Sequence, residues 1–194
     1  MPYVAPVKDM LFVMNELAGL SKVVSYPSYA QAGADVDLAP AILEESAKFN
    51  QDVVAPLNWT GDQKPSSLKD GVVTTSPGFK EAFEQFAAAG WQGVVHPAQF
   101  GGQELPKLIA TACFEMVHSA SLSFALCPML TDGAIEALLT AASPEIQERY
   151  VPKMISGEWT GSMCLTEPQA GSDLSMVRAR AVPENDGTYK IFGT

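Results

Sequence analysis

The stretch that decides the fold is Met163-Cys164-Leu165-Thr166-Glu167-Pro168-Gln169-Ala170-Gly171-Ser172-Asp173. It closes a segment, residues 159–166, in which larger and smaller side chains alternate between two faces, as in a β-strand. Pro168 then stiffens the chain, and the small residues 170–172 favour a tight loop. The pattern therefore predicts a strand that runs directly into a compact loop.

This loop suits a ligand that has a polar ring edge and a phosphate tail. Thr166 shares its face with small side chains, which leave room for a flat ring, and its hydroxyl can donate or accept a hydrogen bond. Gly171 and Ser172 offer two N–H groups and a hydroxyl to a phosphate. From the residues alone, an ordinary turn whose shape Asp173 holds is the more frequent explanation.

The periodicity of apolar residues changes near residue 158. Residues 1–157 show mainly helical periodicity, whereas residues 158–194 show strand alternation, with a second strand over 176–183. Asp186-Gly187 is a strong hairpin signal, and the return strand begins at 189–192. We therefore expect a mainly α chain, with an N-terminal α-helical domain over 1–157 and the truncated start of a central β domain over 158–194. Because Thr194 follows so soon after a strand begins, we expect a piece of a longer protein.

Four further segments give explicit expectations within the helical part. Residues 56–77 are rich in Pro, Gly, Ser and Asp, which predicts a loop. Apolar residues recur at helical spacing from Leu105 to Phe124, which predicts the longest helix, and Thr131 or Asp132 is expected to open another. Ser143-Pro144 is typical of a helix start.

Composition and charge exclude several functions. About half of the residues are apolar and the formal net charge is -10, so nucleic-acid binding is not expected. The three cysteines form no CxxC pair and are interpreted as reduced, mostly buried thiols of a cytoplasmic protein. His96 and His118 lack metal-ligand spacing, so no metal site is predicted and both are expected to be surface or core residues. No basic leader and no run of about 18 apolar residues is seen, so stable membrane insertion is not expected.

Residues 163–173 resemble the acyl-CoA dehydrogenase signature, in which a strand ends in Thr-Glu-Pro, two variable residues and Gly-Ser-Asp. Residues 90–102 are similar to the family's Gly-Trp, Pro and Gly-Gly stretch, and residues 131–134 and 143–157 are similar to its two short helices before the signature. The similarity extends from Phe79 to Thr194. The earlier part resembles the larger bacterial subfamily that includes 3-methylmercaptopropionyl-CoA dehydrogenases.

The resemblance implies an N-terminal helical domain, a central β domain and a C-terminal four-helix bundle, with FAD held non-covalently. It implies a flavoprotein oxidoreductase of fatty acid and lipid metabolism that converts acyl-CoA thioesters to 2,3-enoyl-CoA. A glutamate removes the α proton, and the β hydrogen leaves as hydride to flavin. The implied partners are the acyl-CoA substrate, an electron-transfer flavoprotein and further copies of the chain in a dimer or tetramer.

Site residues follow from the same resemblance, position by position. Met163 and Leu165 would give backbone contacts beside the flavin ring, and Thr166 would hydrogen-bond the polar edge of that ring. Gly171 and Ser172 would lie near the flavin pyrophosphate, and Ser172 also near the pantetheine arm of CoA. Several family members have an aromatic residue in place of Met163. Stacking of this side chain on the flavin is therefore not expected, and the backbone contact is retained.

No catalytic residue is assigned within the chain. The resemblance places the expected glutamate beyond Thr194, and Glu167 is not nominated as the base. Phe124, Leu126 and Leu130 could wall the acyl pocket by analogy, but core packing is the favoured interpretation of all three.

Two alternatives remain open at this point. A flavin oxidase or flavin monooxygenase of the same fold would use different chemistry on the same architecture. A non-catalytic helical interaction or assembly module would lack the base altogether. Because a piece of a domain leaves apolar surface uncovered, we also expect this chain by itself to self-associate and to bind FAD poorly.

Overall fold

A computed structural model describes residues 3–193. It contains two compact units, of which the first ends at Ser162 and the second begins at Met163. The first unit is helical and the second is built around a β-hairpin, so the predicted mainly α fold class is confirmed. The domain boundary predicted between residues 157 and 158 stays a prediction.

The helices and strands have the following bounds. The α-helices are α1 Val7–Phe12, α2 Leu20–Val24, α3 Pro27–Gln31, α4 Leu38–Phe49, α5 Ala55–Gln63, α6 Phe79–Ala88, α7 Lys107–Ala120, α8 Leu122–Ala141 and α9 Pro144–Ile155. Val13–Leu17 and Asn50–Val54 are π-helical, and Trp91–Gly93, Ala98–Phe100 and Leu174–Met176 are 3₁₀ turns. The strands are β1 Ser67–Lys69, β2 Val72–Thr74, β3 Arg180–Pro183 and β4 Tyr189–Phe192.

Helix α7 is the centre of the helical unit. Ile109 and Met116 are fully buried in a cluster with residues of α1 and α4, while Val117 packs into a second cluster with α5, α6 and α8. Phe86 lies at the middle of that second cluster, where its ring centroid is 6.0 Å from that of Phe124. Because α7 contributes to both clusters, its apolar surface is wider than a single helical stripe.

The prediction of a loop over residues 56–77 is partly wrong. Helix α5 continues through Gln63, and Pro56 lies in its first turn, directly after the π-helical residues Asn50–Val54. The remaining residues form an antiparallel β1–β2 hairpin in which Ser67 pairs with Thr74. Its turn is made by Asp70 and Gly71, whose φ angles of 51° and 78° are the left-handed values that such a two-residue turn requires.

The predicted helix over 105–124 is also wrong in its extent. The chain breaks at Ser121, which is extended with φ −159° and ψ 103°, and α8 then runs without interruption past Thr131. Val117 and Phe124 lie on opposite sides of the break yet pack into the same cluster, so the apolar period continues across it. By contrast, the helix start at Ser143-Pro144 is confirmed, with the Ser143 hydroxyl accepting from the backbone of Ile146.

Helix α8 is the one helix among residues 3–193 that is long and apolar enough to cross a membrane by length and composition. Core helices of globular proteins satisfy the same test, and Phe124 and Ile135 of α8 are buried in the helical unit. Leu122, Leu126 and Met129 are exposed on the same helix. The expectation about membrane insertion stays a prediction.

The second unit is built on an antiparallel pairing of β3 with β4, in which Arg180 faces Phe192. The predicted hairpin turn is confirmed, and the Asp186 carboxylate accepts hydrogen bonds from the backbone and the hydroxyl of Thr188. The strand predicted over 159–166 is not formed. A strand needs a hydrogen-bonding neighbour, and within residues 3–193 no segment pairs with this one.

Candidate functional site

A two-residue turn opens the loop that follows Thr166. The N–H of Glu167 donates to the carbonyl of Ala170 at 2.9 Å, and the N–H of Ala170 donates back to Glu167 at 3.0 Å. Pro168 occupies the first turn position, where its fixed φ is suitable and its missing N–H is not needed. Ala170 is 1% exposed, so the turn is anchored at its far end.

The Glu167 side chain closes the loop from the other direction. Its two carboxylate oxygens accept hydrogen bonds from the backbone N–H groups of Arg178 at 2.9 Å and Ala179 at 2.8 Å. The Gln169 side-chain amide donates to the same carboxylate. These bonds, the one from Arg178 first, hold the pKa of Glu167 below its usual value. Glu167 is therefore an ionised acceptor within the loop.

Asp173 forms a second, local bond in the same loop. Its carboxylate oxygen accepts from the N–H of Ser175 at 3.0 Å and caps the 3₁₀ turn Leu174–Met176. Hydrogen bonds from the Ser175 side chain and backbone lower the pKa of this carboxyl. The expectation that Asp173 holds the shape of the turn is confirmed.

All of the predicted site residues lie in the second unit, within ten consecutive positions. Met163 and Leu165 are 68% and 47% exposed, and Thr166, Gly171 and Ser172 are exposed as well. None of the hydrogen bonds among residues 3–193 uses the backbone N–H of these five residues. A methyl group built on Gly171 would meet no atom within 4 Å. The structure thus brings together an open set of backbone donors, and their individual roles stay predictions.

The three residues considered as pocket walls separate into two kinds. Phe124 is 3% exposed and packs in the second core cluster, which agrees with core packing. Leu126 is 45% exposed and Leu130 is half-buried. Leu126 is therefore available to a ligand or to another part of the protein, and Phe124 is not.

Helix α8 makes polar contacts that sequence reasoning missed. The buried Thr131 hydroxyl donates to the carbonyl of Cys127 at 2.8 Å and accepts from the N–H of Gly161 at 3.0 Å. On the same helix, the Asp132 carboxylate lies 2.8 Å from Nε2 of His96, which is fully buried. His96 is thus a core histidine, as expected. No sequence signal marks these pairs, because their members are about 30 positions apart.

The three cysteines form no disulfide among residues 3–193. The expectation that most of them are buried is wrong. Only Cys113 is buried, whereas Cys127 and Cys164 are exposed. Burial raises the pKa of the Cys113 thiol to about 11. Cys113 is therefore a small apolar core residue rather than a nucleophile.

The family model for the acyl-CoA dehydrogenase N-terminal domain matches residues 40–158, which is more than half of the chain. The chain therefore belongs to the acyl-CoA dehydrogenase family, which confirms the resemblance.

Similar curated proteins support the same family. The chain is 46% identical over 194 residues to 3-methylmercaptopropionyl-CoA dehydrogenase of Ruegeria pomeroyi, a match that covers 100% of this chain and 33% of that protein. It is 33% identical over 196 residues to a butyryl-CoA dehydrogenase of Syntrophomonas wolfei, covering 98% of this chain and 32% of the other. The chain thus spans about a third of the length of these relatives.

Solved structures show the same fold at lower identity. Butyryl-CoA dehydrogenase from Megasphaera elsdenii matches with a TM-score of 0.67 and 20% identity, covering 82% of this chain and 40% of that chain. A glutaryl-CoA dehydrogenase–glutaryl-CoA complex matches with a TM-score of 0.68 and 21% identity, covering 82% and 38%. PigA with FAD and proline matches with a TM-score of 0.65 and 24% identity, covering 82% and 39%.

Proposed function

We propose that this chain is the N-terminal part of an FAD-dependent acyl-CoA dehydrogenase that oxidises acyl-CoA thioesters to 2,3-enoyl-CoA. The observation that carries the proposal is the open loop of residues 166–173, which occurs in a member of the acyl-CoA dehydrogenase family. Thr166, Gly171 and Ser172 of this loop are exposed, and no hydrogen bond among residues 3–193 uses their backbone N–H groups.

The donor set of this loop fits a flavin dinucleotide. The unpaired backbone groups of Met163 and Leu165 suit the edge of a planar ring, and the Thr166 hydroxyl suits its heteroatoms. Gly171 and Ser172 supply N–H groups and a hydroxyl for the pyrophosphate, and the open space beside Gly171 lets phosphate approach the backbone. When bound, FAD supplies the hydride acceptor of the reaction.

The residues of this chain would act by binding and orienting. Fixed backbone donors hold a charged ligand without the reorganisation that water would need, and Ser172 would also orient the pantetheine arm of the substrate. The α proton has to pass to a base that lies outside residues 3–193, and we assign that role to a glutamate beyond Thr194. We do not assign this role to Glu167, because its carboxylate already accepts two backbone hydrogen bonds within the loop.

We further propose that the substrates have short acyl chains. The support is that the two relatives described above are named for 3-methylmercaptopropionyl-CoA and butyryl-CoA. The exposed Leu126 of α8 is our candidate for an acyl-pocket wall in this chain. An electron-transfer flavoprotein as electron acceptor, a homo-oligomer and a cytoplasmic location complete the proposal.

The test uses the full-length protein that contains this chain. Purified protein is expected to carry FAD and to reduce an artificial electron acceptor with butyryl-CoA or 3-methylmercaptopropionyl-CoA, releasing a product that has lost two hydrogens by mass spectrometry. A preparation without FAD that oxidises no acyl-CoA would refute the proposal. Hydrogen peroxide formed in stoichiometric amount with the product would instead identify a flavin oxidase.

A matched pair of variants tests the loop itself. Thr166→Val removes the hydroxyl proposed for the flavin ring, so weaker FAD binding is expected in a fluorescence titration. Thr188→Val is the control, because Thr188 is a threonine of the same unit that bonds only within the β3–β4 turn. Equal FAD affinity in both variants would argue against the assigned role of Thr166.

A further inference from the structure

The loop after Thr166 is closed by one side chain rather than by a ladder of backbone bonds. The Glu167 carboxylate accepts from the N–H groups of Arg178 and Ala179, which lie 11 and 12 positions further along the chain. Oε2 accepts the Arg178 N–H at 2.9 Å and Oε1 accepts the Ala179 N–H at 2.8 Å. Bonds from backbone N–H to a carboxylate are charge-assisted and stronger than neutral ones.

Gln169 ties the middle of the loop to the same point. Its side-chain nitrogen donates to the Glu167 carboxylate and lies 3.3 Å from the carbonyl oxygen of Met176. The start, middle and end of the loop therefore meet at a single carboxylate. We call this set of bonds, made by Glu167 with Gln169, Arg178 and Ala179, the Glu167 clamp.

The clamp leaves the phosphate-facing donors free. Gly171 and Ser172 lie between Gln169 and Met176, and the clamp uses neither of them. A loop of this length without cross-links would lose conformational entropy each time that it bound a ligand. Because the clamp fixes the loop beforehand, less of the binding free energy is spent on ordering it.

We propose that Glu167 is a positioning residue whose carboxylate fixes the shape of residues 168–178, so that Gly171 and Ser172 are presented to the phosphates of FAD. This inference rests on the proposed function for the identity of the ligand. The clamp itself rests only on the hydrogen bonds of the second unit. The acceptor role also explains why an acidic residue stands next to a phosphate loop, since two N–H dipoles and the nearby Arg178 offset its charge.

The competing role for this carboxylate would be that of the catalytic base. A carboxylate has about four acceptor positions, and Gln169, Arg178 and Ala179 already occupy three of those of Glu167. The same bonds lower the pKa of Glu167, which makes it a weaker base. The two roles therefore predict opposite results when the side chain is changed.

The experiment compares Glu167→Ala and Glu167→Gln with the unaltered full-length protein. FAD affinity is measured by fluorescence titration of the apoprotein, and turnover is measured separately at saturating FAD. Loss of two charge-assisted bonds is expected to weaken FAD binding by about ten- to a hundredfold in Glu167→Ala. Glu167→Gln retains one acceptor oxygen, so its loss should be smaller. Turnover per bound flavin should stay within about threefold of the unaltered protein, because the base is elsewhere.

A measurement of the clamp in the absence of FAD separates the proposed function from the positioning role of Glu167. Amide hydrogen exchange at Arg178 and Ala179 should be slow in the unaltered protein and fast in Glu167→Ala, while far-ultraviolet circular dichroism reports on folding. The control is Glu184→Gln, since Glu184 is an acidic residue of the same unit that pairs with Lys190 at 3.1 Å. This variant should change neither exchange nor FAD affinity.

Three results would overturn the inference. Turnover that falls by several orders of magnitude at saturating FAD would make Glu167 a catalytic residue. Fast exchange at both amides with unchanged FAD affinity would show that the clamp does not serve the cofactor. An unaltered protein with slow exchange that binds no FAD would refute the proposed function and the positioning role together, while leaving the clamp as a structural feature.

Discussion

Thr131→Val should destabilise the helical unit by removing one hydroxyl from helix α8. Thr131 is fully buried, and its hydroxyl accepts the N–H of Gly161 at 3.0 Å while donating to the carbonyl of Cys127. Valine has nearly the same shape, so the substitution opens no cavity. The change isolates the bond that holds Gly161, two residues before Met163, against the helix.

The magnitude follows from what the Gly161 N–H loses. A part-buried donor left without a partner costs about 1–3 kcal/mol in the free energy of unfolding. Water cannot easily replace the hydroxyl, because Gly161 packs so closely that a methyl group on it would lie 2.6 Å from Cβ of Ala134. The cost should therefore lie above the few tenths of a kcal/mol that are typical of surface substitutions.

Urea denaturation followed by circular dichroism measures this cost, and Thr140→Val is the matched control. Thr140 lies on the same helix and makes the same bond to the carbonyl four residues earlier, but it is exposed and binds no other segment. Its replacement should change the free energy of unfolding by less than about 0.5 kcal/mol. Thr131→Ser, which keeps the hydroxyl, should retain slow amide exchange at Gly161.

Equal destabilisation by Thr131→Val and Thr140→Val would refute this reasoning. It would mean that the Thr131–Gly161 bond contributes no more than a helix-surface hydroxyl. Slow exchange at Gly161 in Thr131→Val would have the same meaning, since another acceptor would then have replaced the hydroxyl.

Three further outcomes are expected. Met116→Ala should lower the free energy of unfolding by about 2–5 kcal/mol in urea denaturation, because Met116 is fully buried in the first core cluster. Gly102→Ala should prevent native folding, seen as lost near-ultraviolet dichroism, because the added methyl would overlap the backbone carbonyl of His96. Hydrogen bonds lower the pKa values of Glu167 and Asp173, so these bonds should persist at neutral pH and be lost only as acid takes the pH down through the lowered values. Chemical shifts of the loop amides titrated from pH 6 downward, with changes already complete above about pH 5, would contradict that last expectation.

Local signals in the sequence predicted local structure well. Asp186-Gly187 specifies its turn by its own backbone preferences, and Ser143-Pro144 specifies a helix start by the cap that the serine hydroxyl provides. The motif over residues 163–173 was sufficient to indicate the family, which the family match then confirmed. Such signals act over a few residues, so they do not depend on the rest of the fold.

Apolar periodicity was less reliable for the limits of helices. It continued across the break at Ser121, because α7 and α8 bury side chains in the same cluster. It also predicted no element around Pro56, although a proline in the first turn is compatible with a helix. Periodicity reports which side chains are buried, and burial does not require a continuous helix.

The sequence by itself determined the family, the helical character of the first unit, the hairpin of the second and the loop that we propose for FAD. Only the tertiary structure decided that Glu167 closes this loop through Arg178 and Ala179, and that Thr131 holds Gly161. The physical reason is that each hydrogen bond joins residues 11 to 30 positions apart. Their distance depends on the path of the whole intervening chain, which no local preference specifies.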